Sequence, residues 1–228
     1  YVGGDAYRVY WLYREGNPLA RAVRGVLIDR VSALMALVVM MVASLPRLFA
    51  RFPDHAVKTA MVAVAASGVA GSIVFFACDA LPRRWGRVKV VAELAALSAS
   101  ARRLLLTSVS GLVVGPLAIL VHALSAAIIF VFASDMGLPL TALDCLLLIP
   151  PIMLLSAIPI SISGWGVREG VMIGALAMMG IGTEQALALS VLLGFALLAN
   201  GLIGVLPLAF GGERFVAVRS RSAAIGGA

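Results

Sequence analysis

The stretch Ile158-Pro-Ile-Ser-Ile-Ser-Gly-Trp-Gly-Val-Arg-Glu-Gly170 is a polar, glycine-containing break between two apolar runs. The run before it covers residues 145–160 and contains three prolines, and the run after it covers only residues 171–182. A helix that crosses the roughly 30 Å hydrocarbon layer needs about 20 residues. We therefore expect a re-entrant hairpin over residues 143–182, with its tip inside the membrane.

The tip of this hairpin combines residues that bend the backbone with residues that carry charge. The hinge is predicted at Pro159, Gly164, Gly166 and Gly170. The polar side chains beside it are Ser163, Arg168 and Glu169. Irregular backbone survives at membrane depth only where protein or a water-filled cavity satisfies its polar groups. Ionisable groups in such a place indicate a functional site.

Composition sets the fold class. Hydrophobic residues make up 62% of the 228 residues, charged residues 13%, and the mean hydropathy is +1.06. These values are typical of a membrane protein, and the continuous, helix-length apolar runs are unlike the alternating strands of a membrane barrel. We predict an all-α, polytopic helical integral membrane protein that forms a single transmembrane domain over residues 1–228.

Four further apolar runs are long enough to cross the membrane. They cover, approximately, residues 25–45, 56–78, 104–134 and 185–210. Residues 79–103 are basic, with apolar residues at near-helical spacing, and predict an amphipathic helix that lies along the membrane interface. The chain opens at Tyr1 inside a polar segment, so we expect it to be a fragment that lacks further amino-terminal spans.

The basic residues indicate the orientation. Segments 1–24, 79–103 and 211–228 carry thirteen of the Lys and Arg residues, whereas the opposite side of the predicted spans carries three. The positive-inside rule places the start of the chain, the loop and the carboxyl terminus in the cytoplasm. Because charge distributed in this way is topological, the net charge of +7 does not indicate a nucleic-acid partner.

The sequence also contains a weak internal repeat. Residues 4–8, Gly-Asp-Ala-Tyr-Arg, align with residues 164–168, Gly-Trp-Gly-Val-Arg, and further on residues 25–28 align with residues 190–193. The first copy would run outwards and the second inwards. Inverted repeats with broken helices are typical of secondary transporters.

Three features together resemble a known family: an early Gly-Gly-Asp-Ala-x-Arg, the pair Asp29-Arg30 at the start of a span, and residues 159–170. The sequence is similar to the lysylphosphatidylglycerol synthase transmembrane-region family, which includes the flippase domain of the multiple peptide resistance factor and stand-alone relatives. The resemblance implies a protein of the bacterial inner membrane with re-entrant helices and one or two spans before Tyr1. It also implies movement of a phospholipid headgroup between leaflets. Phe195 and Trp165 depart from the family pattern, in which arginine and a small or aliphatic residue are common at these positions.

The charged pairs allow two interpretations. Arg168 and Glu169 form either a structural ion pair that holds the hairpin or a phosphate-binding arginine with its carboxylate partner; the two roles are compatible, and the same argument applies to Arg8. Arginine suits phosphate because its planar fork donates two parallel hydrogen bonds. Asp29 and Arg30 are most simply an interfacial pair, and His122 a core histidine with a hydrogen-bond partner. The candidate headgroup-binding residues are Asp5, Arg8, Asp29, Arg30, Ser163, Arg168 and Glu169.

These observations favour a lipid flippase or transporter-like protein that acts on an anionic phospholipid or related polar-lipid headgroup. The alternative is a non-transporting membrane partner of a lipid-, hopanoid- or glycolipid-modifying enzyme. The predicted partners are membrane lipids, with a homo-oligomer or a lipid-synthesis enzyme as further candidates. No Gly-x-Ser-x-Gly elbow, Walker loop or metal-ligand spacing is present, so we expect neither an enzyme nor a bound cofactor or metal.

Overall fold

The computed structural model describes residues 2–80, 89–157 and 166–201, and all regular elements within these ranges are helices. The helices are α1 (Val2–Arg14), α2 (Leu19–Arg51), α3 (His55–Ala77), α4 (Lys89–Arg102), α5 (Gly111–Asp135), α6 (Ala142–Ser156), α7 (Val167–Ala177) and α8 (Thr183–Gly201). A 3₁₀ turn follows α3, and a π turn, Arg103–Thr107, follows α4. Helices α2, α3, α5 and α8 are long and apolar enough to cross a membrane. The chain is therefore an all-α, multi-pass membrane protein.

The first span is longer than the sequence predicts. Helix α2 has 33 residues instead of the predicted 25–45, and it continues through Pro46 as far as Arg51. The six additional residues at each end contain two arginines, which end the predicted apolar run although the helical hydrogen bonds continue. The second span begins close to the predicted residue, where the Asp54 carboxylate accepts hydrogen bonds from the backbone N–H groups of Ala56 and Val57 and caps α3.

The long apolar stretch at residues 104–134 is divided, and its spanning helix begins later than predicted. The π turn is followed by Ser108 with extended backbone (φ −107°, ψ 152°), and α5 starts at Gly111. A side chain at Gly111 would collide with the Leu105 carbonyl oxygen, so this tight reversal depends on glycine. Pro116 does not divide the stretch, since it lies within α5.

The amphipathic segment predicted over residues 79–103 is helical where it is described. Helix α4 packs against α2 and α3 and does not lie free on the surface. Its Leu97, Ser98 and Ala101 are buried. Helix α4 therefore has a packing role, and its position at the membrane interface stays a prediction.

The predicted hairpin contains the centre of the fold. Helix α6 packs against α2, α3, α5 and α7, and its Ile149, Pro150 and Ile152 are almost fully buried. Helices α6 and α7 have 15 and 11 residues, about 22 and 16 Å at 1.5 Å per residue, so each alone is too short for the hydrocarbon layer.

The interruption between α6 and α7 is described only at its two ends. Helix α6 ends at Ser156, and Gly166 (φ +85°, ψ −53°) precedes α7 with a left-handed backbone that favours glycine. A continuous helix from Cys145 to Gly180 is therefore excluded. Pro159, Ser163 and Gly164 lie outside the described residues, and the depth of the break in a membrane stays a prediction. Gly170, predicted as a hinge, lies inside α7, where its N–H bonds to the Gly166 carbonyl.

Candidate functional site

Helices α1 and α2 form a hairpin that brings four of the predicted site residues together. Arg8 Nη1 lies 2.8 Å from Asp29 Oδ2. Arg30 donates to Asp5 Oδ2 from Nη2 at 2.5 Å and from Nε at 3.0 Å. Each helix thus contributes one acid and one base to two reciprocal ion pairs. The turn that closes the hairpin contains Gly16 with φ +88°.

These two ion pairs are accessible. The Arg8 and Asp29 side chains are 55% and 61% exposed, and those of Arg30 and Asp5 are 44% and 28% exposed. Exposed ion pairs of this kind contribute little to stability, about 0–1 kcal/mol. Their arginine side chains can therefore exchange a carboxylate for another anion at low cost.

A polar pocket of about 390 Å³ adjoins this cluster, between α2 and α5. Its polar wall consists of Asp29, Arg30, Ser32 and His122, and apolar side chains of α5 complete it. His122 is the twelfth of the 25 residues of α5, so the pocket extends from the charged start of the α2 span to the middle of a spanning helix.

His122 also connects the two walls of this pocket. Its Nε2 lies 3.1 Å from the Ala33 carbonyl oxygen in α2. A carbonyl oxygen can only accept, so we assign the hydrogen to Nε2. His122 was expected to be a satisfied core histidine; it has its hydrogen bond, but it is half-buried and lines the pocket.

A second cluster lies at the start of α7 and is closed. Arg168 and Glu169 are only 5% and 9% exposed. Arg168 Nη2 donates to Glu169 Oε1 at 2.6 Å, and the Ser190 hydroxyl of α8 lies 3.4 Å from both Arg168 Nε and Glu169 Oε1. The other carboxylate oxygen, Oε2, accepts the backbone N–H of Gly166. Glu169 thus accepts a backbone hydrogen bond at the start of α7 with one carboxylate oxygen and pairs with Arg168 through the other.

Glycine in α8 makes room for this arginine. A side chain at Gly194 would place its Cβ 2.5 Å from Arg168 Nη2 and 3.2 Å from Cζ. Such a distance requires the guanidinium to move. Gly194 is therefore part of the same cluster, although it has no polar group.

The structure divides the predicted site residues into two groups. Asp5, Arg8, Asp29 and Arg30 form the exposed group, and Arg168 with Glu169 forms the buried one. Ser163 lies outside the described residues. Gly170 and Gly174 follow Gly166 at four-residue spacing in α7, and a Cβ added at either would meet nothing within 4 Å. Among the described residues these two glycines are therefore not sites of close helix packing.

Sequence reasoning missed several functional neighbours. Ser190 and Gly194 could have been found through the internal repeat, because Ser190 aligns with Gly25 and the same offset aligns Gly194 with Asp29, the partner of Arg8. The pair Arg51 and Asp144, which joins α2 to α6 with 3.1 Å between Nε and Oδ1, had no signal in the sequence. The two residues are far apart in the chain.

The described residues contain no cluster of three or more His, Cys, Asp or Glu side chains that could hold a metal ion. Cys78 and Cys145 are both free thiols. The polar groups available for binding are therefore carboxylates, guanidinium groups and one imidazole, which suit a charged organic headgroup.

Comparison with known proteins identifies the family. Neither the curated proteins nor the solved structures that were compared with the chain gave a match. A family model described as "Lysylphosphatidylglycerol synthase TM region" matches residues 1–213. This match covers nearly all of the chain, including both charged clusters and every described helix. The chain belongs to the lysylphosphatidylglycerol synthase transmembrane-region family.

Proposed function

We propose that this protein moves an anionic phospholipid, or a related lipid with a polar headgroup, between the leaflets of the bacterial inner membrane. The headgroup binds in the polar pocket between α2 and α5, with Arg30 and Arg8 as its anion-binding groups. The family name supports a phospholipid as the class of ligand, because it refers to an enzyme that makes one. No covalent step is part of the proposal.

The observation that carries the proposal is the extent of the polar pocket along two apolar helices. It joins Asp29 and Arg30, about one turn inside the apolar part of α2, to His122 at the middle of α5. A headgroup that crosses the hydrocarbon layer needs polar partners along its path, since unpaired polar groups there cost several kcal/mol. A dry, closed core on this face would instead favour a protein that does not transport.

The two arginine side chains can exchange their carboxylate partners for a phosphate. In the described state, carboxylates of Asp5 and Asp29 hold Arg30 and Arg8. A phosphate can replace a carboxylate because the guanidinium fork forms parallel, charge-assisted hydrogen bonds with either group. The displaced carboxylates remain at the mouth of the pocket and can receive hydroxyl or ammonium groups of the lipid.

We assign the buried cluster a positioning role in this process. Arg168 and Glu169 are in contact with each other and with α8, so their pairing fixes how α7 packs on α8. A headgroup could reach Arg168 only after this cluster opens. The proposal therefore has its binding residues in the α1–α2 hairpin and its structural support in the α7–α8 region.

A leaflet-accessibility assay tests the function. The protein is reconstituted in vesicles that contain a fluorescent phosphatidylglycerol, and the fraction that a membrane-impermeant quencher reaches is followed over time. We expect Arg30→Gln to abolish protein-dependent movement. Arg47→Gln, at an exposed arginine on the same helix, serves as the matched control and should move lipid at the wild-type rate.

Two outcomes would contradict the proposal. Movement by Arg30→Gln at the wild-type rate would remove the pocket from the mechanism. If the wild-type protein moves none of the lipid classes tested, the alternative role as a membrane partner of a lipid-modifying enzyme takes its place.

The orientation is part of the proposal and has its own test. Thirteen basic residues on one side and three on the other favour a cytoplasmic start of the chain. In a background with Cys78 and Cys145 replaced by alanine, a cysteine at Glu15 should react only from the cytoplasm and one at Asp135 only from outside. Both positions are exposed. The reverse labelling pattern would invert the topology.

A further inference from the structure

An apolar groove of about 630 Å³ lies between α2, α3 and α5. Helix α2 packs against both α3 and α5, whereas α3 and α5 hardly touch each other within the described residues. The groove is the space that this arrangement leaves open. Side chains of all three helices line it, among them Val39, Val69, Ile73 and Ile119.

The groove faces hydrocarbon. All three helices are candidate membrane spans. Several lining side chains are strongly exposed, with Val39 at 57% and Ile73 at 64%. In water such a surface would be an association site, but around a membrane span the surrounding solvent is itself lipid chains.

The groove and the polar pocket are neighbours that share one wall residue. Ser32 lines both of them, and its hydroxyl is already satisfied by the Ile28 carbonyl, 2.8 Å away. On α5, residues 114, 117, 118 and 121 line the polar pocket, and residues 111, 115 and 119 line the groove, so the two lie on adjacent faces of one helix. One amphipathic molecule can therefore occupy both at once.

We propose that the α2–α3–α5 groove holds a hydrocarbon chain of the lipid whose headgroup lies in the polar pocket. This inference rests on the proposed function and extends it from the headgroup to the whole ligand. The protein then binds both the headgroup and one hydrocarbon chain of the same lipid molecule. The chain remains in an apolar environment while the headgroup passes Ser32 towards His122.

Glycine 115 allows the groove to be filled without strain. A Cβ at this position would meet nothing within 4 Å, so Gly115→Phe can project a ring into the space. Gly71→Phe is the matched control, because Gly71 is an exposed glycine on α3 with equally open surroundings and does not line the groove. Val69→Phe fills the groove from the α3 side, in case Gly115→Phe does not fold.

The test is photolabelling of the full protein in phosphatidylcholine vesicles that contain a trace of phosphatidylglycerol with a diazirine in one acyl chain. Mass spectrometry then locates the adducts. We expect them to concentrate on the groove-lining parts of α2, α3 and α5. Gly115→Phe and Val69→Phe should reduce them severalfold, and Gly71→Phe should leave them unchanged.

Three results would overturn the inference. Adducts could be spread evenly over all lipid-facing helices, or filling the groove could leave the labelling unchanged. The third is that two copies of the protein cross-link to each other and that Gly115→Phe abolishes this dimer without any effect on the lipid adducts. The groove would then be an interface between two copies of this chain.

A second probe, with the diazirine on phosphatidylcholine, separates this inference from the proposed function. Equal labelling of the groove by both probes would mean that any surrounding lipid fills it, and would contradict the inference. Stronger labelling by the phosphatidylglycerol probe, together with no lipid movement in the leaflet assay, would support the inference and contradict only the transport of anionic lipid. Loss of groove labelling with normal, Arg30-dependent movement would contradict only the groove.

Discussion

The α1–α2 and α7–α8 regions are built alike and differ in burial. In both, an arginine on a short helix contacts the long helix that follows: Arg8 contacts Asp29, and Arg168 contacts Ser190 and Gly194. The first pair is more than half exposed, and the second cluster is almost completely enclosed. The same residue type is therefore exchangeable in one region and fixed in the other, because water or a headgroup can compete for it only where it is accessible.

This comparison predicts that the buried cluster dominates stability. Arg168→Ala leaves the Glu169 carboxylate enclosed without its cation, so we expect a loss of about 3–5 kcal/mol in the free energy of unfolding. Arg168→Lys keeps the charge but not the second contact to Ser190, and should lose less. Unfolding in mixed detergent micelles measures both, with Arg47→Ala as the exposed control. Wild-type stability of Arg168→Ala would mean that this cluster is not structural.

The next largest effect concerns the glycine beside the buried arginine. Gly194→Ala places a methyl group 2.5 Å from Arg168 Nη2. The guanidinium must then leave its present position, at a cost of about 1–3 kcal/mol. Gly174→Ala is the control, because its Cβ has open space and alanine favours helix by up to about 1 kcal/mol. The prediction fails if the two variants have the same thermal stability.

A smaller effect is expected at the start of α6. Thr141 Oγ1 accepts the Asp144 N–H, while Asp144 Oδ2 accepts the Thr141 N–H, so the two residues form a capping box. Thr141→Ala should cost about 1 kcal/mol. Thr59→Ala is the matched control, since Thr59 is exposed in α3 and bonds only within its own helix. An equal shift of the melting temperature in both variants would argue against the cap.

The smallest effect on stability is expected in the exposed hairpin. A double-mutant cycle with Arg8→Gln and Asp29→Asn should give a coupling energy of about 0.2–1 kcal/mol. Lipid movement should respond far more than stability does, because the same arginine side chains bind the headgroup. A coupling energy of several kcal/mol would falsify the view that these pairs are exchangeable.

The sequence predicts the helical class and the approximate positions of the spans, because apolar runs of about 20 residues have few other structures. It does not predict the ends of α2, where arginines interrupt the apolar run while the helix continues. It also misses the break at Ser108–Ser110, which depends on how tightly the chain can reverse at Gly111. Hydropathy indicates whether a segment is more stable in water or in the membrane, and it carries no information on backbone geometry.

The site was only partly predictable for a related reason. Asp5, Arg8, Asp29 and Arg30 were identified through the family resemblance, with Asp29 and Arg30 taken together at the start of a span. Their reciprocal pairing across two helices follows only once α1 and α2 form a hairpin. His122 was assigned to the core. The sequence cannot distinguish a buried histidine that only has a hydrogen-bond partner from one that also lines a pocket. Which arginine is enclosed and which is exposed depends on the packing of α7 against α8, and thus on contacts between distant parts of the chain.

The hydrogen bond from His122 to the Ala33 carbonyl has a consequence for how the protein responds to acidity. Imidazole carries a hydrogen on Nε2 when it donates to a carbonyl, and it keeps that hydrogen when the ring gains a second proton. The bond between α5 and α2 is therefore compatible with both charge states of the ring. A change in the charge of the ring would therefore alter the electrostatic potential of the pocket wall without breaking this contact between the two helices.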